Sequence, residues 1–178
     1  MRVTGGVARG CRLKSPPASV RPTSDLVRSA IFDALDARGV DDARVLDLYA
    51  GSGALGIEAL SRGAGRCDFV ERETRNAALI RENLRLAGLE ERGRVHRMTV
   101  ERAPERLSGP YSLVLADPPY DDETALAALE RIAGSGLVEP GTTLVLEHSR
   151  RRQAPQALGQ LRLAWSRRYG DSQVSIYQ

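Results

Sequence analysis

The sequence predicts an α/β fold in which a mostly parallel sheet is covered by helices on both faces. Short apolar runs with strand character alternate with amphipathic helical segments, and the connections between them are short. In addition, the polar motifs follow apolar runs directly, which places them at the carboxyl edge of a parallel sheet, where such folds bind ligands. The length of 178 residues fits one such domain with a short appendage.

Seven strands are expected, and the last two form an antiparallel pair at the C-terminal end of the sheet. The predicted strands are 45–49, 67–71, 95–100, 113–116, 143–147, 161–169 and 173–177. Apolar residues at three- and four-residue spacing predict four helices. The first starts at Thr23 or Ser24 and ends at Gly39, the second ends near Ser61, and the other two cover 75–87 and 125–133.

The first 22 residues differ in character from the rest of the chain. Gly5, Gly6 and Gly10 separate short polar and apolar runs, and the sequence KSPP at 14–17 then breaks the pattern. We expect a short β-hairpin arm over 1–22, followed by one domain over 23–178.

Several classes of protein are excluded by composition. Cys11 and Cys67 cannot make a disulfide scaffold and have no metal-ligand spacing, so we expect neither a disulfide framework nor a bound metal. The apolar runs are much shorter than the roughly 20 residues that span a bilayer. The N-terminal run has no hydrophobic stretch of signal-peptide type, so we expect a cytoplasmic protein with no membrane partner.

Positive charge is concentrated at both ends of the chain. Residues 1–28 hold six basic residues and one acidic residue, and residues 146–178 hold six basic and two acidic residues. Because the net charge of the whole chain is +3, the middle is acidic. This distribution favours a polyanionic partner that the ends contact. Within the first segment the expected contacts with RNA phosphates are Arg2, Arg9, Arg12, Lys14, Arg21 and Arg28.

A glycine-rich turn follows the first predicted strand. Gly51, Gly53 and Gly56 fit G-x-G-x-x-G between a strand and a helix, and Glu71 ends the next strand 20 residues after Gly51. Glycines let the backbone approach a nucleoside, and an acid at this spacing accepts hydrogen bonds from ribose hydroxyls. The pattern fits both NAD and S-adenosylmethionine.

Asp47 distinguishes these two cofactors. It lies four residues before the glycine turn, where a carboxylate would repel a pyrophosphate and favour a cationic sulfonium or ammonium group. The run 47–53 (DLYAGSG) looks like the first motif of S-adenosylmethionine-dependent methyltransferases, and Glu71 falls where their second motif lies. We therefore expect S-adenosylmethionine as the cofactor.

The tetrapeptide 117–120 (DPPY) follows an apolar run and predicts the chemistry. Its residues are Asp117, Pro118, Pro119 and Tyr120. Because the prolines stiffen the turn and donate no hydrogen bond, the Asp117 carboxylate and the Pro118 carbonyl can accept both hydrogens of an exocyclic amine. Tyr120 can stack on a flat base while the nitrogen faces a sulfonium methyl. Together with the glycine turn, this motif predicts N-methylation of a planar amine.

Nearly the whole chain resembles the 16S rRNA (guanine-N2)-methyltransferase D family. The resemblance rests on TGG at 4–6 with Arg9 and Gly10, RPTSDLVR at 21–28, DLYAGSGALGIEALSRGA at 47–64, LVLADPPY at 113–120, and YGD at 169–171. It implies a class I methyltransferase (Rossmann-like) fold and methylation of a guanine 2-amino group in small-subunit rRNA. The implied partner is the small ribosomal subunit, assembled or nearly so, and we expect a monomer.

The resemblance also assigns roles to individual positions. The expected cofactor contacts are Thr23, Asp47, Tyr49, Gly51, Gly53, Glu71, Arg72, Thr99 and Val100, and the expected contacts with the target base are Asp117 to Tyr120. The segment 97–100 (RMTV) lacks the acid that many methyltransferases use beside adenine, so a main-chain contact is expected there. Ser29 stands where relatives often have Glu.

Three other functions remain open from the sequence. The same chemistry could act on adenine N6 of DNA or on a protein glutamine, although glutamine methyltransferases normally have Asn in place of Asp117. A non-catalytic rRNA-binding assembly factor would keep the fold, but the motif residues are intact. An NAD-dependent oxidoreductase is disfavoured by Asp47 and leaves the DPPY turn unexplained.

Overall fold

The computed structural model describes residues 1–15, 25–36 and 40–178 and confirms the predicted architecture. The strands are β1 (Arg44–Leu48), β2 (Arg66–Glu71), β3 (Gly93–Arg97), β4 (Leu113–Ala116), β5 (Thr143–Ser149), β6 (Ala157–Leu158), β7 (Leu161–Tyr169) and β8 (Ser172–Tyr177). The helices are α1 (Asp25–Asp36), α2 (Ala54–Ser61), α3 (Thr74–Leu86), α4 (Ala103–Arg106) and α5 (Ala125–Ala133).

The strands form one sheet in the order β3-β2-β1-β4-β5-β8-β7-β6. Strands β3, β2, β1, β4 and β5 are parallel, and β8, β7 and β6 continue the sheet in antiparallel pairs. The carboxyl ends of the parallel strands therefore meet at one edge, as the sequence predicted.

The structure differs from the prediction in three places. The strand expected over 95–100 ends at Arg97, and Val100 lies in a 3₁₀ turn, Val100–Arg102. An eighth strand, β6, was missed because its two residues are too few to show alternation. The four-residue helix α4 was missed for the same reason, since it is shorter than two turns.

Helices cover both faces of the sheet because the strand residues alternate between two apolar layers. On β1, for example, Val45 packs in the layer with α1, α2 and α3, whereas Leu46 packs in the layer with α5. The carboxylate-bearing Asp47 follows two residues after Val45, so it faces α2. Within residues 1–15, 25–36 and 40–178, no helix is both long and apolar enough to cross a membrane.

The N-terminal segment folds back on itself in a short antiparallel pairing, as the sequence predicted, and this pairing packs on the domain. It makes one antiparallel bridge, between Arg2 and Arg12, and its apolar residues Val3, Ala8 and Leu13 join the core layer of α1, α2 and α3. The expected boundary between residues 22 and 23 lies outside the described residues.

Glu58 on α2 ties this segment to the domain. Its buried carboxylate accepts hydrogen bonds from the backbone N–H and hydroxyl of Thr4 and from the backbone N–H of Gly5. It also accepts from Arg28 Nε at 3.2 Å and Arg62 Nε at 2.9 Å. A buried carboxylate with this many partners is well compensated for its lost hydration.

The expected role of Arg28 as an RNA contact is wrong. Its side chain is fully buried and pairs with Glu58 and with Asp25, and one Nη also donates to the Arg2 carbonyl. A guanidinium committed to internal carboxylates cannot reach a phosphate. The sequence position in a basic segment gave no sign of this, because Glu58 is 30 residues away.

Candidate active site

A cavity of about 920 Å³ lies at the carboxyl edge of the sheet. It extends from the ends of β1 and β2 to the ends of β4, β5 and the β7–β8 turn, and the start of α1 contributes Leu26 and Val27. Its lining is strongly acidic, with Arg72 as its one basic residue among those described. The acidic lining residues are Asp47, Glu71, Glu73, Glu101, Asp117, Asp121, Asp122, Glu147 and Asp171.

The glycine turn between β1 and α2 forms one wall of the cavity. Gly51 and Gly53 have φ angles of 55° and 79°, in the left-handed region that favours glycine. A Cβ on Gly53 would lie 3.0 Å from Ile80 Cγ2, so the turn also depends on close packing against α3. The backbone of this turn is therefore exposed to the cavity in a conformation that other residues adopt at a cost.

Glu71 at the end of β2 fixes this turn. One carboxylate oxygen accepts from the backbone N–H of Gly51 at 2.8 Å and the other from that of Glu73 at 2.8 Å. Because a carboxylate has about four acceptor positions, Glu71 can accept further hydrogen bonds from hydroxyls in the cavity. The side chain expected to hold a ribose thus also shapes the wall behind it.

Asp47 lies beneath the same turn. It is 1 % exposed and accepts a hydrogen bond from the Gly56 backbone N–H at 2.9 Å. Burial raises the pKa of this carboxyl well above its ordinary value, and the neighbouring charges of Asp117 and Glu71 raise the pKa further, although the Gly56 hydrogen bond opposes them. A cation bound in the cavity would relieve this penalty.

Tyr49, which follows β1, also lines the cavity. It has a φ of 59°, and its buried hydroxyl has no hydrogen-bond partner in the described part of the chain. Burial raises the pKa of this phenol, with smaller contributions from the charges of Asp122 and Glu101, so the hydroxyl stays protonated and can donate to a ligand.

The cavity lining also contains an acid beyond the end of β3, Glu101, which was not predicted as a site residue. Thr99, Val100 and Glu101 all line the cavity, because β3 ends at Arg97 and the following turn brings them there. The segment 97–100 has no acid, which predicted a main-chain contact, but Glu101 follows it directly and was a usable signal.

The DPPY turn forms the opposite wall, at the end of β4. Asp117 and Tyr120 are half-buried, Pro118 is buried and Pro119 is exposed. The Tyr120 hydroxyl lies 2.6 Å from the Ser172 hydroxyl and donates to Glu147 at 3.4 Å. Because β4 is the sheet neighbour of β1, the two motifs that are 70 residues apart in sequence face each other across one cavity.

Glu147 and Ser172 were not predicted as site residues. Glu147 is 3 % exposed at the carboxyl end of β5, and Ser172 begins β8. An acid at the end of an apolar strand run was a usable signal for Glu147. Ser172 had none, since its position follows from the pairing of β8 with β5.

The remaining predicted residues fall in three groups. Arg72 lines the cavity with an exposed side chain 3.4 Å from Glu73. The predictions for Thr23 and Arg21 lie outside the described residues. The four predicted basic residues of the N-terminal segment are exposed and do not line the cavity: Arg2, Arg9, Arg12 and Lys14. No cluster of three or more potential metal ligands occurs in 1–15, 25–36 and 40–178.

Comparison with known proteins gives two full-length matches and a third that covers part of the chain. The family model described as Conserved hypothetical protein 95 matches residues 1–178. "Putative rRNA methyltransferase YlbH" of Bacillus subtilis is 37 % identical over 183 residues, which cover 100 % of this chain and 98 % of that protein. Ribosomal RNA small subunit methyltransferase D of Escherichia coli is 37 % identical over 123 residues, covering 67 % of this chain and 60 % of that protein.

Solved structures agree with these matches. "Putative methyltransferase yhhF" of Escherichia coli superposes with a TM-score of 0.88 at 28 % identity, covering 100 % of this chain and 97 % of that one. A hypothetical protein of Thermus thermophilus gives a TM-score of 0.82 at 34 % identity, covering 99 % of this chain and 98 % of that one. The class I methyltransferase fold is confirmed, and the chain belongs to the Conserved hypothetical protein 95 family, to which its resemblance to the small-subunit rRNA methyltransferase D proteins pointed.

Proposed function

We propose that this protein transfers a methyl group from S-adenosylmethionine to the N2 amine of a guanine in 16S rRNA of the small ribosomal subunit. One observation supports this most strongly. A glycine turn with its two acids and a DPPY turn face each other across one acidic cavity. The names of the relatives, rRNA methyltransferases, support rRNA as the substrate class.

The residues of the glycine wall fit S-adenosylmethionine. Nine carboxylates around one cavity favour a ligand that bears a sulfonium and an ammonium, and they oppose the pyrophosphate of NAD. Glu71 would accept from the ribose hydroxyls, and Thr99 to Glu101 would lie beside the adenine. When bound, S-adenosylmethionine supplies an electrophilic methyl group on a positively charged sulfur.

The DPPY wall fits a planar base with an exocyclic amine. Asp117 and the Pro118 carbonyl would accept the two amine hydrogens, and this holds the nitrogen lone pair toward the cofactor side. Tyr120 would stack on the base, with its ring fixed by the bonds from its hydroxyl to Ser172 and Glu147.

Asp117 then performs two tasks in the transfer. As the amine nitrogen forms its bond to the methyl carbon and the sulfur–carbon bond breaks, positive charge develops on the nitrogen, and the adjacent carboxylate stabilises that charge. After transfer the nitrogen loses one proton, to Asp117 or to water. The reaction needs neither a metal ligand set nor a covalent bond to the protein.

Methyl transfer to several acceptors tests this function. Labelled S-adenosylmethionine is incubated with the protein and unmethylated small subunits, naked 16S rRNA, duplex DNA or protein extract, and the labelled product is identified after digestion. We expect N2-methylguanosine from rRNA, with more label in the subunit than in naked RNA. Label in DNA or in protein glutamine would reject the rRNA substrate, and no label in any acceptor despite cofactor binding would favour an assembly factor.

A further inference from the structure

The acidic lining of the cavity cannot bind the phosphates of an RNA backbone. The base would enter among nine carboxylates, and the phosphates that flank it must remain outside. A base that is flipped into the cavity therefore needs basic residues beside the cavity to bind the flanking RNA phosphates.

Five arginines lie on two segments that border the cavity on the side of the DPPY turn. We call them the C-terminal arginine cluster: Arg150, Arg151, Arg152, Arg167 and Arg168. Arg152 is half-buried and the other four are exposed. They lie on the loop after β5 and at the end of β7, and these two segments meet at the β7–β8 turn.

Strand register and side-chain contacts place this cluster against the cavity lining. Arg167 and Arg168 pair across β7–β8 with Val174 and Gln173, which pair with Glu147 and His148 at the carboxyl end of β5. Four contacts connect the cluster to lining residues. They are Arg150 Nε to Asp171 at 3.2 Å, Arg152 to the Asp122 carbonyl at 2.9 Å, Arg167 over the Tyr169 ring at 5.7 Å, and Arg168 to the Gly170 carbonyl at 3.0 Å.

Arg9 of the N-terminal segment lies at the opposite edge of the sheet, whereas the two ends of this segment reach the glycine turn. There the Ser52 hydroxyl donates to Met1 Sδ at 3.7 Å, and Asn83 bonds both Lys14 and the Ser52 carbonyl. The turn that contains Arg9 packs on the end of α2, where the Ser61 carbonyl accepts from Val7 at 2.8 Å. The chain after Ser61 bonds to Ala43, immediately before the first residue of β1. This is the amino edge, and the five residues of β1 separate it from the cavity by about 16 Å.

Arg12 lies between this edge and the glycine turn, on the side of the domain that α3 covers. Its neighbour Cys11 donates to the carbonyl of Leu86, the last residue of α3, which lies a few residues before the start of β3. Arg9 and Arg12 are therefore exposed cations on the far side of the domain from the DPPY turn. The prediction that they hold the RNA beside the site does not fit their position.

We propose that the phosphates flanking the target base dock on the C-terminal arginine cluster, and that Arg9 and Arg12 make no contact with RNA near the site. This rests on the proposed function for its RNA partner. Arg151 and Arg167 are the strongest candidates, since they are exposed and have no ion pair in the described part of the chain. The pairing of Arg150 with Asp171 and of Arg168 with Gly170 gives those side chains a second, structural task.

Two matched double variants test this docking site. Arg151→Glu/Arg167→Glu and Arg9→Glu/Arg12→Glu each reverse two exposed arginines, so they change the net charge equally. The measurement is the Kd for unmethylated small subunits across a series of KCl concentrations, with S-adenosylhomocysteine present and no turnover required. Thermal melting and calorimetric titration with S-adenosylhomocysteine check that both variants fold and keep the cofactor site.

The expected result is a rise in Kd of about tenfold or more for the first variant, with a salt slope reduced by roughly 1.5, because two phosphate contacts are lost. The second variant should stay within about twofold of the wild type. The proposal is overturned if the second variant shows the larger loss, if both lose equally, or if neither changes while the wild type binds. If the wild type itself does not bind subunits, the proposed function fails with it.

Discussion

The two walls of the cavity are built in different ways. On the cofactor wall, which the glycine turn forms, buried carboxylates accept hydrogen bonds from backbone N–H groups. Glu71 accepts from Gly51, and Asp47 accepts from Gly56. On the substrate wall, which the DPPY turn forms, the Tyr120 hydroxyl is held by the side chains of Ser172 and Glu147, which lie on two other strands. One wall is rigid through local backbone bonds, whereas the other depends on the pairing of distant strands, so the two should respond differently to substitution.

The largest effect is expected from Asp117→Ala on the substrate wall. Turnover should fall by about 10³-fold because the developing charge on the amine loses its carboxylate, while the affinity for S-adenosylhomocysteine should change little. Single-turnover methyl transfer and calorimetry give the two values. Asp121→Ala removes an exposed acid from the same cavity and is the matched control. Equal losses in both variants would show that only the total charge of the cavity matters.

Glu71→Gln should have the reverse profile on the cofactor wall. A glutamine amide cannot accept on both of its ends, so one of the bonds to Gly51 and Glu73 or to the ribose is lost. We expect the Kd for S-adenosylhomocysteine to rise about tenfold or more. Glu73→Gln, at an exposed position, should change the Kd little. Unchanged binding in Glu71→Gln would place the ribose elsewhere.

Tyr120→Phe tests the connection between distant strands with a smaller effect. It keeps the ring and removes the hydroxyl that bonds to Ser172, so turnover should fall by roughly three- to tenfold. Ser172→Ala breaks the same bond but leaves the bond to Glu147, so the double variant should be no worse than Tyr120→Phe alone. Additive losses in kcat would mean that the two hydroxyls act separately.

The smallest effect concerns stability and the buried acid of the cofactor wall. The pKa of Asp47 is raised in the folded state, so its contribution to stability is greatest below its ordinary pKa of 3.8 and declines as pH rises through the folded value. Asp47→Asn can keep the Gly56 bond without a buried charge. The variant should gain a few degrees in Tm over the wild type, by an amount that grows from pH 5 to pH 8, and should bind the cofactor more weakly. A Tm difference that does not vary with pH would contradict the raised pKa.

The sequence located both motifs that line the cavity but not the residues of other strands that support the DPPY turn. A strand, a glycine turn and an acid at the next strand end form within one βαβ unit, so Gly51, Gly53 and Glu71 carry a local pattern. Glu147 and Ser172 meet Tyr120 only through the order β4-β5-β8, which local spacing does not encode. Arg28 illustrates the same limit, because its charge predicted a surface role and its partner Glu58 lies on another helix.

A crystal structure of the complex with S-adenosylhomocysteine would test the division of the cavity most directly. We expect the ribose hydroxyls at Glu71, the adenine beside Thr99 to Glu101, and the sulfur facing the open space in front of Asp117 and Tyr120. A complex with the adenine stacked on Tyr120, or with the sulfur turned away from Asp117, would contradict it.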